Sequence, residues 1–202
     1  MSAGAVLLVV DMQNDFCHPD GALGKRGVDL GPTQAIVHSL LTLIERARAV
    51  AVPVIYTANA HDDWTNAGNW RKRQAGEGLS LCRTGSWGAE FFAVRPAANE
   101  RTLIKHRYNA FVGTDLDLIL RSRNIDSIYF TGVATNVCVE STARDAFARN
   151  YAVTMVRDCL AGSSTQEHDW ALRSLERYFG ADIADSEAVA ASWADRLAAA
   201  GR

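Results

Sequence analysis

Residues 5–10, Ala-Val-Leu-Leu-Val-Val, form an uninterrupted apolar run that stops at Asp11. A strand with one face in water alternates apolar and polar side chains. A run that is apolar throughout belongs to a strand covered on both sides, as in a parallel sheet between two layers of helix. The rest of the chain supplies the alternation that such a sheet requires. Further strands are expected at 53–57, 103–105, 127–131 and 152–156, with a short sixth around Ile183. Pro32 opens a helix whose apolar stripe is Ile36, Val37, Leu40, Leu41, Ile44 and Ala47. Helices follow at 116–120, 136–148, 165–178 and 186–200, the last with Val189, Trp193 and Leu197 on one face. Strands alternating with helices give an α/β fold with right-handed connections, expected as a single domain over residues 1–202. One stretch, 59–96, is irregular and holds Trp64, Trp70 and Trp87. A segment of that length in a compact domain is functional or partly helical. It is expected to form a pocket wall or lid, the alternative being a surface packed on a neighbouring subunit.

The totals narrow the function by exclusion. With 202 residues there is room for one ordinary core. The formal net charge of −2 lacks the basic surface that nucleic acid or an anionic membrane demands, so neither is expected as a partner. No apolar run approaches the roughly 20 residues that span a bilayer. The N-terminal residues carry no basic stretch or cleavage site of a secretory leader, which makes a cytoplasmic location the expectation. The four cysteines, at 17, 82, 138 and 159, include no C-x-x-C pair and are expected as free thiols.

Ligands of open α/β sheets bind beyond the carboxyl ends of the strands. Asp11 and Lys105 each end an expected strand, and Cys138 follows another. The segment Thr131-Gly132-Val133-Ala134-Thr135-Asn136-Val137-Cys138 reads as a strand, a tight turn and a helix capped by Asn136. Cys138 then falls in the first helical turn, where the helix dipole, free N–H groups and a nearby ammonium lower a thiol pKa. Cys17, Cys82 and Cys159 have no such setting and read as structural, Cys17 least securely because it lies near the Asp11 loop.

These residues resemble a known family. Ala5-Val-Leu-Leu-Val-Val-Asp-Met-Gln-Asn-Asp-Phe16, a Lys ending a later strand, and Gly132-Val-Ala-Thr-Asn-Val-Cys-Val139 are similar to the isochorismatase-like cysteine hydrolases. The resemblance implies a three-layer α/β/α sandwich around a six-stranded, mainly parallel sheet, in homodimers or homotetramers. It implies an Asp11–Lys105–Cys138 triad. It also implies a cis peptide before Ala134, with the N–H groups of Ala134 and Cys138 as the oxyanion hole. The nicotinamidases of the family bind a metal through an Asp-x-His motif and a further His. Here the matching stretch is Asn59-Ala60-His61 and no second His follows before His106. No metal and no other cofactor is therefore expected, and Asn59 and His61 are taken as substrate contacts.

Other pocket candidates are Gln13, Asn14 and Phe16 beyond Asp11, Trp64, Trp70 and Trp87 in the irregular stretch, and Tyr108 beyond Lys105. Arg71, Arg73, Arg83 and Arg107 are candidates for a substrate carboxylate. The resemblance is nearest to ureidoacrylate amidohydrolases, through Gly85-Ser-Trp87, Leu118-Ile-Leu-Arg-Ser-Arg123 and the Cys138 segment with Arg144-Asp145, and N-carbamoylsarcosine amidases are near relatives. The expected activity is hydrolysis of a small amide or ureide to acid and ammonia. The competing readings are vinyl-ether hydrolysis of the isochorismatase type, which needs no thiolate, a nicotinamidase-like amidase, and a silent binding subunit of the same fold.

Overall fold

A computed structural model of the protein describes residues 4–77 and 81–200, with side chains described except at 74–77 and 196–200. In chain order the strands are β1 (Gly4–Val10), β2 (Val54–Asn59), β3 (Arg101–Lys105), β4 (Ile125–Val133), β5 (Ala152–Ala161) and β6 (Asp182–Ala184). The helices are α1 (Asn14–Cys17), α2 (Ala22–Lys25), α3 (Gly31–Ala35), α4 (Val37–Ala49), α5 (Gly68–Glu77), α6 (Leu116–Ser122), α7 (Glu140–Ala148), α8 (Thr165–Phe179) and α9 (Ser186–Ala200). The strands form one six-stranded sheet in the order β3-β2-β1-β4-β5-β6, and every pairing is parallel.

The apolar run in β1 explains the layering. Val6, Leu8 and Val10 pack into one cluster with Leu116 and Leu120 of α6, Ala143 of α7 and Leu172 and Leu175 of α8. Leu7 and Val9 pack into the opposite cluster with Leu40, Leu43 and Ile44 of α4 and Val189 and Trp193 of α9. Alternate side chains of one strand thus serve two cores, as the two-residue period of a strand requires. Each fully buried Leu, Val or Ile contributes about 1.5–3 kcal/mol relative to an exposed one. The result is the α/β/α sandwich expected from the sequence. Among the described residues no helix is long and apolar enough to cross a membrane.

Two local readings are corrected and a third is made specific. The helix begun at Pro32 breaks at Ile36 into α3 and α4, and Leu41 points outward, 38% exposed, because α4 buries only the Leu40–Leu43–Ile44–Ala47 side. The stretch 59–96 is partly helical, one of the forms expected for it, with α5 and a 3-10 turn at Trp87–Ala89. The expected helix at 136–148 is two elements: a π-helical turn, Thr135–Val139, runs into α7. Asn136 lies inside that turn; the residue before it is Ala134, which has no side-chain cap. Leu197, assigned to the apolar face of α9, lies outside the residues whose side chains are described.

The sheet order places β1 at the topological switch. From β1 the chain moves outward to β2 and β3, then returns to β4 on the other side. A crevice opens between strands at such a point, and here it lies between the carboxyl ends of β1 and β4. Close contact of these strands depends on Gly132. Its φ is +96°, and a Cβ there would meet the Val10 carbonyl oxygen at 2.1 Å. Gly132→Ala is expected to destabilise the protein by about 3 kcal/mol or more. Urea denaturation measures this, and an unchanged midpoint would refute the packing argument.

Candidate active site

Three neighbouring strand ends supply the polar centre. Asp11 follows β1, Asn59 ends β2, and Lys105 ends β3 in register with Asn59. Asp11 is 1% exposed and Lys105 is fully buried, and the Lys105 Nζ lies 2.8 Å from Asp11 Oδ2. The ammonium also donates to the carbonyls of Arg107 (3.0 Å) and Tyr108 (3.1 Å). Its three protons therefore each have an acceptor. The carboxylate accepts from Thr57 Oγ1 at 2.7 Å on Oδ1 and from Asn59 Nδ2 at 2.8 Å on Oδ2. Asp11 has a φ of 49°, a left-handed conformation unusual for a residue with a side chain. Strain of this kind collects at functional sites.

Cys138 approaches this centre from the β4 side. Its Sγ accepts from Asn59 Nδ2 at 3.8 Å, so one primary amide spans the Asp11 carboxylate and the sulfur. The cysteine sits in the π turn, and the peptide Val133–Ala134 before it is cis. Burial pushes the thiol up to about 12, Lys105 pulling it down and Asp11 pushing it further up. Burial and Asp11 thus favour the protonated thiol, against the lowering that a helix terminus and Lys105 supply. Burial opposes the charge on Lys105 as well, yet Asp11 and Cys138 raise its pKa overall. Burial also raises the thiols of Cys17, Cys82 and Cys159. What separates Cys138 is its company and its place on a cavity wall.

That cavity, of about 390 Å³, is lined in part by Asn59, Val133, Ala134 and Cys138. Phe16, His61 and Tyr108 line it as expected, and so do Trp70 and Arg73 from α5. Arg73 Nε donates to the Tyr108 hydroxyl at 2.8 Å, while Trp70 meets the His61 and Tyr108 rings at 5.3 and 4.8 Å. Burial lowers the His61 pKa, and its Nδ1 lies 3.0 Å from Asn66 Oδ1. Among the described residues no three His, Cys, Asp or Glu side chains converge as metal ligands would.

Other expected contacts lie elsewhere. Gln13 is fully buried and ties the end of β2 to the Trp87–Ala89 turn, donating to the carbonyls of Asn59 (2.9 Å) and Ala89 (2.8 Å) and accepting from the Asn59 N–H. Asn14 likewise donates to the Trp87 carbonyl. Trp64 is 98% exposed and Trp87 packs its ring edge-on to His18; neither lines the cavity. Arg107 lies over the Trp70 ring and Arg83 lies 4.0 Å from Asp63; with Arg71, they too are outside the lining. The sequence reading missed the wall formed by Leu23, Arg26, Val28 and Asp29, and Gly162 and Ser163 beyond β5. The strand-end rule was a usable signal for the second pair. No periodicity marks the first wall. Asp15 ties the segments beside the lining residues Leu23 and Leu81 together: its Oδ1 accepts from the Ala22 N–H (3.0 Å) and its Oδ2 from the Cys82 N–H (2.6 Å).

Comparison with known proteins agrees with this geometry. The Isochorismatase domain family matches residues 5–188. The ureidoacrylate amidohydrolase RutB of Methylorubrum extorquens is 36% identical over 206 residues, covering 93% of this chain and 83% of the relative. Among solved structures, a cysteine hydrolase from Pseudomonas syringae superposes with a TM-score of 0.85 at 28% identity, covering 95% of this chain and 93% of that one. N-carbamoylsarcosine amidase from Thermoplasma acidophilum gives 0.74 at 30% identity, with 91% and 96% covered.

The thiol environment has a measurable signature. Labelling of Cys138 by iodoacetamide in the free protein should keep rising through about pH 9, without a plateau near neutrality. Asp11 raises the thiol pKa, so Asp11→Asn should lower it and speed labelling at about pH 8. Lys105 lowers the thiol pKa, so Lys105→Gln should slow labelling. A wild-type plateau below about pH 7.5 would contradict this assignment.

Proposed function

The chain belongs to the isochorismatase family, and from that premise we propose that it is a cysteine amidohydrolase. It cleaves a small amide or ureide to acid and ammonia through a thioester on Cys138. The observation that carries this reading is the convergence of Asp11, Lys105 and Asn59 on the sulfur of a cysteine that lines a cavity. Vinyl-ether hydrolysis has no use for a thiol so attended.

On this reading substrate enters with its carbonyl over the sulfur. Asp11 takes the thiol proton as the sulfur attacks the carbonyl carbon, forming the C–S bond. Lys105 remains an ammonium, favours the thiolate and keeps Asp11 in place. Asn59 donates to Asp11 and to the sulfur, which stabilises the anion as it forms. The N–H groups of Ala134 and Cys138 hold the tetrahedral oxyanion, a contribution of about 3–4 kcal/mol per donor in comparable sites. Asp11 returns its proton to the leaving nitrogen as the C–N bond breaks. Water then attacks the thioester, Asp11 taking one proton and passing it back to the sulfur as the C–S bond breaks. A thiol pKa well above neutrality suits this order, because the proton leaves when substrate arrives and not before.

The cavity wall supports an anionic substrate. Arg26 and Arg73 both line it, with Asp29 as the one acidic side chain among the described lining residues. A guanidinium pair fits a carboxylate on the acyl side of the substrate. A ureido acid has both features, and the relatives include proteins named for ureidoacrylate and N-carbamoylsarcosine.

Two outcomes test the proposal. Ammonia release should be assayed on ureidoacrylate, N-carbamoylsarcosine, biuret and nicotinamide. Cys138→Ala should reduce turnover of the preferred substrate on the order of 10⁴-fold or more, and an unchanged rate would end the thioester scheme. Arg73→Met should raise KM for ureidoacrylate by about tenfold or more, the scale of a lost charge-assisted hydrogen bond. Biuret, which is uncharged, should be unaffected. Equal effects on both compounds would remove Arg73 from carboxylate recognition.

A further inference from the structure

We infer that His168 is a positioning residue for the nucleophile turn, holding it from helix α8 through the hydroxyl of Thr135. The inference rests on the hydrolytic reading above, in which the N–H groups of Ala134 and Cys138 receive the oxyanion.

The turn cannot set its own geometry. Thr135–Val139 is π-helical, a form found mostly as single turns at functional sites. Inside it, Val137 and Val139 N–H both donate to the Ala134 carbonyl, at 3.0 and 3.3 Å. No side chain caps its start. The first residue, Thr135, is fully buried and has a hydroxyl suited to capping. That hydroxyl instead lies 2.9 Å from His168 Nδ1 on α8. A buried hydroxyl that leaves its own backbone for a ring nitrogen fixes the turn to whatever carries that ring.

What carries the ring is rigid and close. Helix α8 is capped by Ser164, whose Oγ accepts from the Glu167 N–H at 3.2 Å, and ends at Gly180 in the left-handed conformation. Its approach to the end of β5 requires Gly162. A Cβ there would sit 2.8 Å from the His168 Cβ and 3.1 Å from its Cα. The next turn residue is gripped from the same segment. Asn136 Oδ1 accepts from the Ser163 N–H (3.0 Å), and Asn136 Nδ2 donates to Ser163 Oγ (3.1 Å). Residues 162–168 therefore hold two consecutive residues of the turn, immediately between Ala134 and Cys138. Burial lowers the His168 pKa, which favours the neutral ring, and the Thr135 hydroxyl can bond Nδ1 in either tautomer.

An oxyanion donor displaced by a fraction of an ångström loses its effect in the transition state but not in the ground state. His168→Phe and the near-isosteric Thr135→Val should therefore each lower kcat on ureidoacrylate by about 10- to 100-fold, with KM within about twofold. The double variant should be no worse than the poorer single, because both remove one interaction. His168→Asn, which keeps an acceptor near the Nδ1 position, and Thr135→Ser should recover most of the rate. Amide exchange at Val137 and Val139 in the substrate-free protein should rise about tenfold in His168→Phe and Thr135→Val. That readout stands even if the wild type fails to turn over ureidoacrylate, an outcome that would count against the hydrolytic reading alone. If His168→Phe does not fold, Thr135→Val carries the comparison. Unchanged kcat and exchange in Thr135→Val, losses that multiply in the double variant, or a rise confined to KM would overturn the inference.

Discussion

The ion pair between Asp11 and Lys105 governs the site. Both side chains are shut away from water, and each ion removed from water costs several kcal/mol before any partner is found. The pair is tolerable because every exposed valence is met: two carbonyls complete the ammonium, and Thr57 and Asn59 complete the carboxylate. Deleting one partner of such a pair typically costs about 3–5 kcal/mol, since the other charge stays buried and alone. Fold and chemistry are coupled at this point. The three strand ends must stay in register for the charges to be satisfied, and the same register brings the carboxylate to the sulfur.

On the proposed reading, this pair also gives the buried Cys138 its use. Burial and the neighbouring carboxylate both hold the proton on sulfur, and only the ammonium opposes them. A free thiolate would be open to alkylation and oxidation whenever the cavity was empty. On the proposed reading, a protonated sulfur with its acceptor alongside stays inert until an electrophilic carbon arrives. A helix start and a lysine, which lower a thiol pKa, are visible in a sequence, whereas the loss of solvent around one atom is not.

Other features divide in the same way. The strands were legible because burial on two faces leaves long apolar runs, as at 5–10, and Asp11 and Lys105 stand out as charges that end them. The cavity walls were not legible. Leu23, Arg26 and Val28 have no shared period, and they meet the site only because the chain folds back after α1. Trp70 and Trp64 look equivalent in the sequence, yet α5 turns one inward while the other stays in water. Gln13 is polar and adjacent to the site, but its amide is consumed by backbone groups of the β2 end and of the Trp87–Ala89 turn. A π turn and an α-helix have nearly the same side-chain pattern over five residues, so the turn at 135–139 is indistinguishable from a helix start without coordinates.

Asp15 has a consequence for how such a protein can diversify. Its two oxygens fasten the Ala22 side of the cavity to the Cys82 side, while Asp11, Asn59 and Lys105 sit at strand ends, and Cys138 in the π turn, to which neither segment belongs. Wall residues facing inward can thus be exchanged against a frame riveted at one point, without disturbing the charges beneath. A scaffold so divided can acquire new tastes while keeping its teeth.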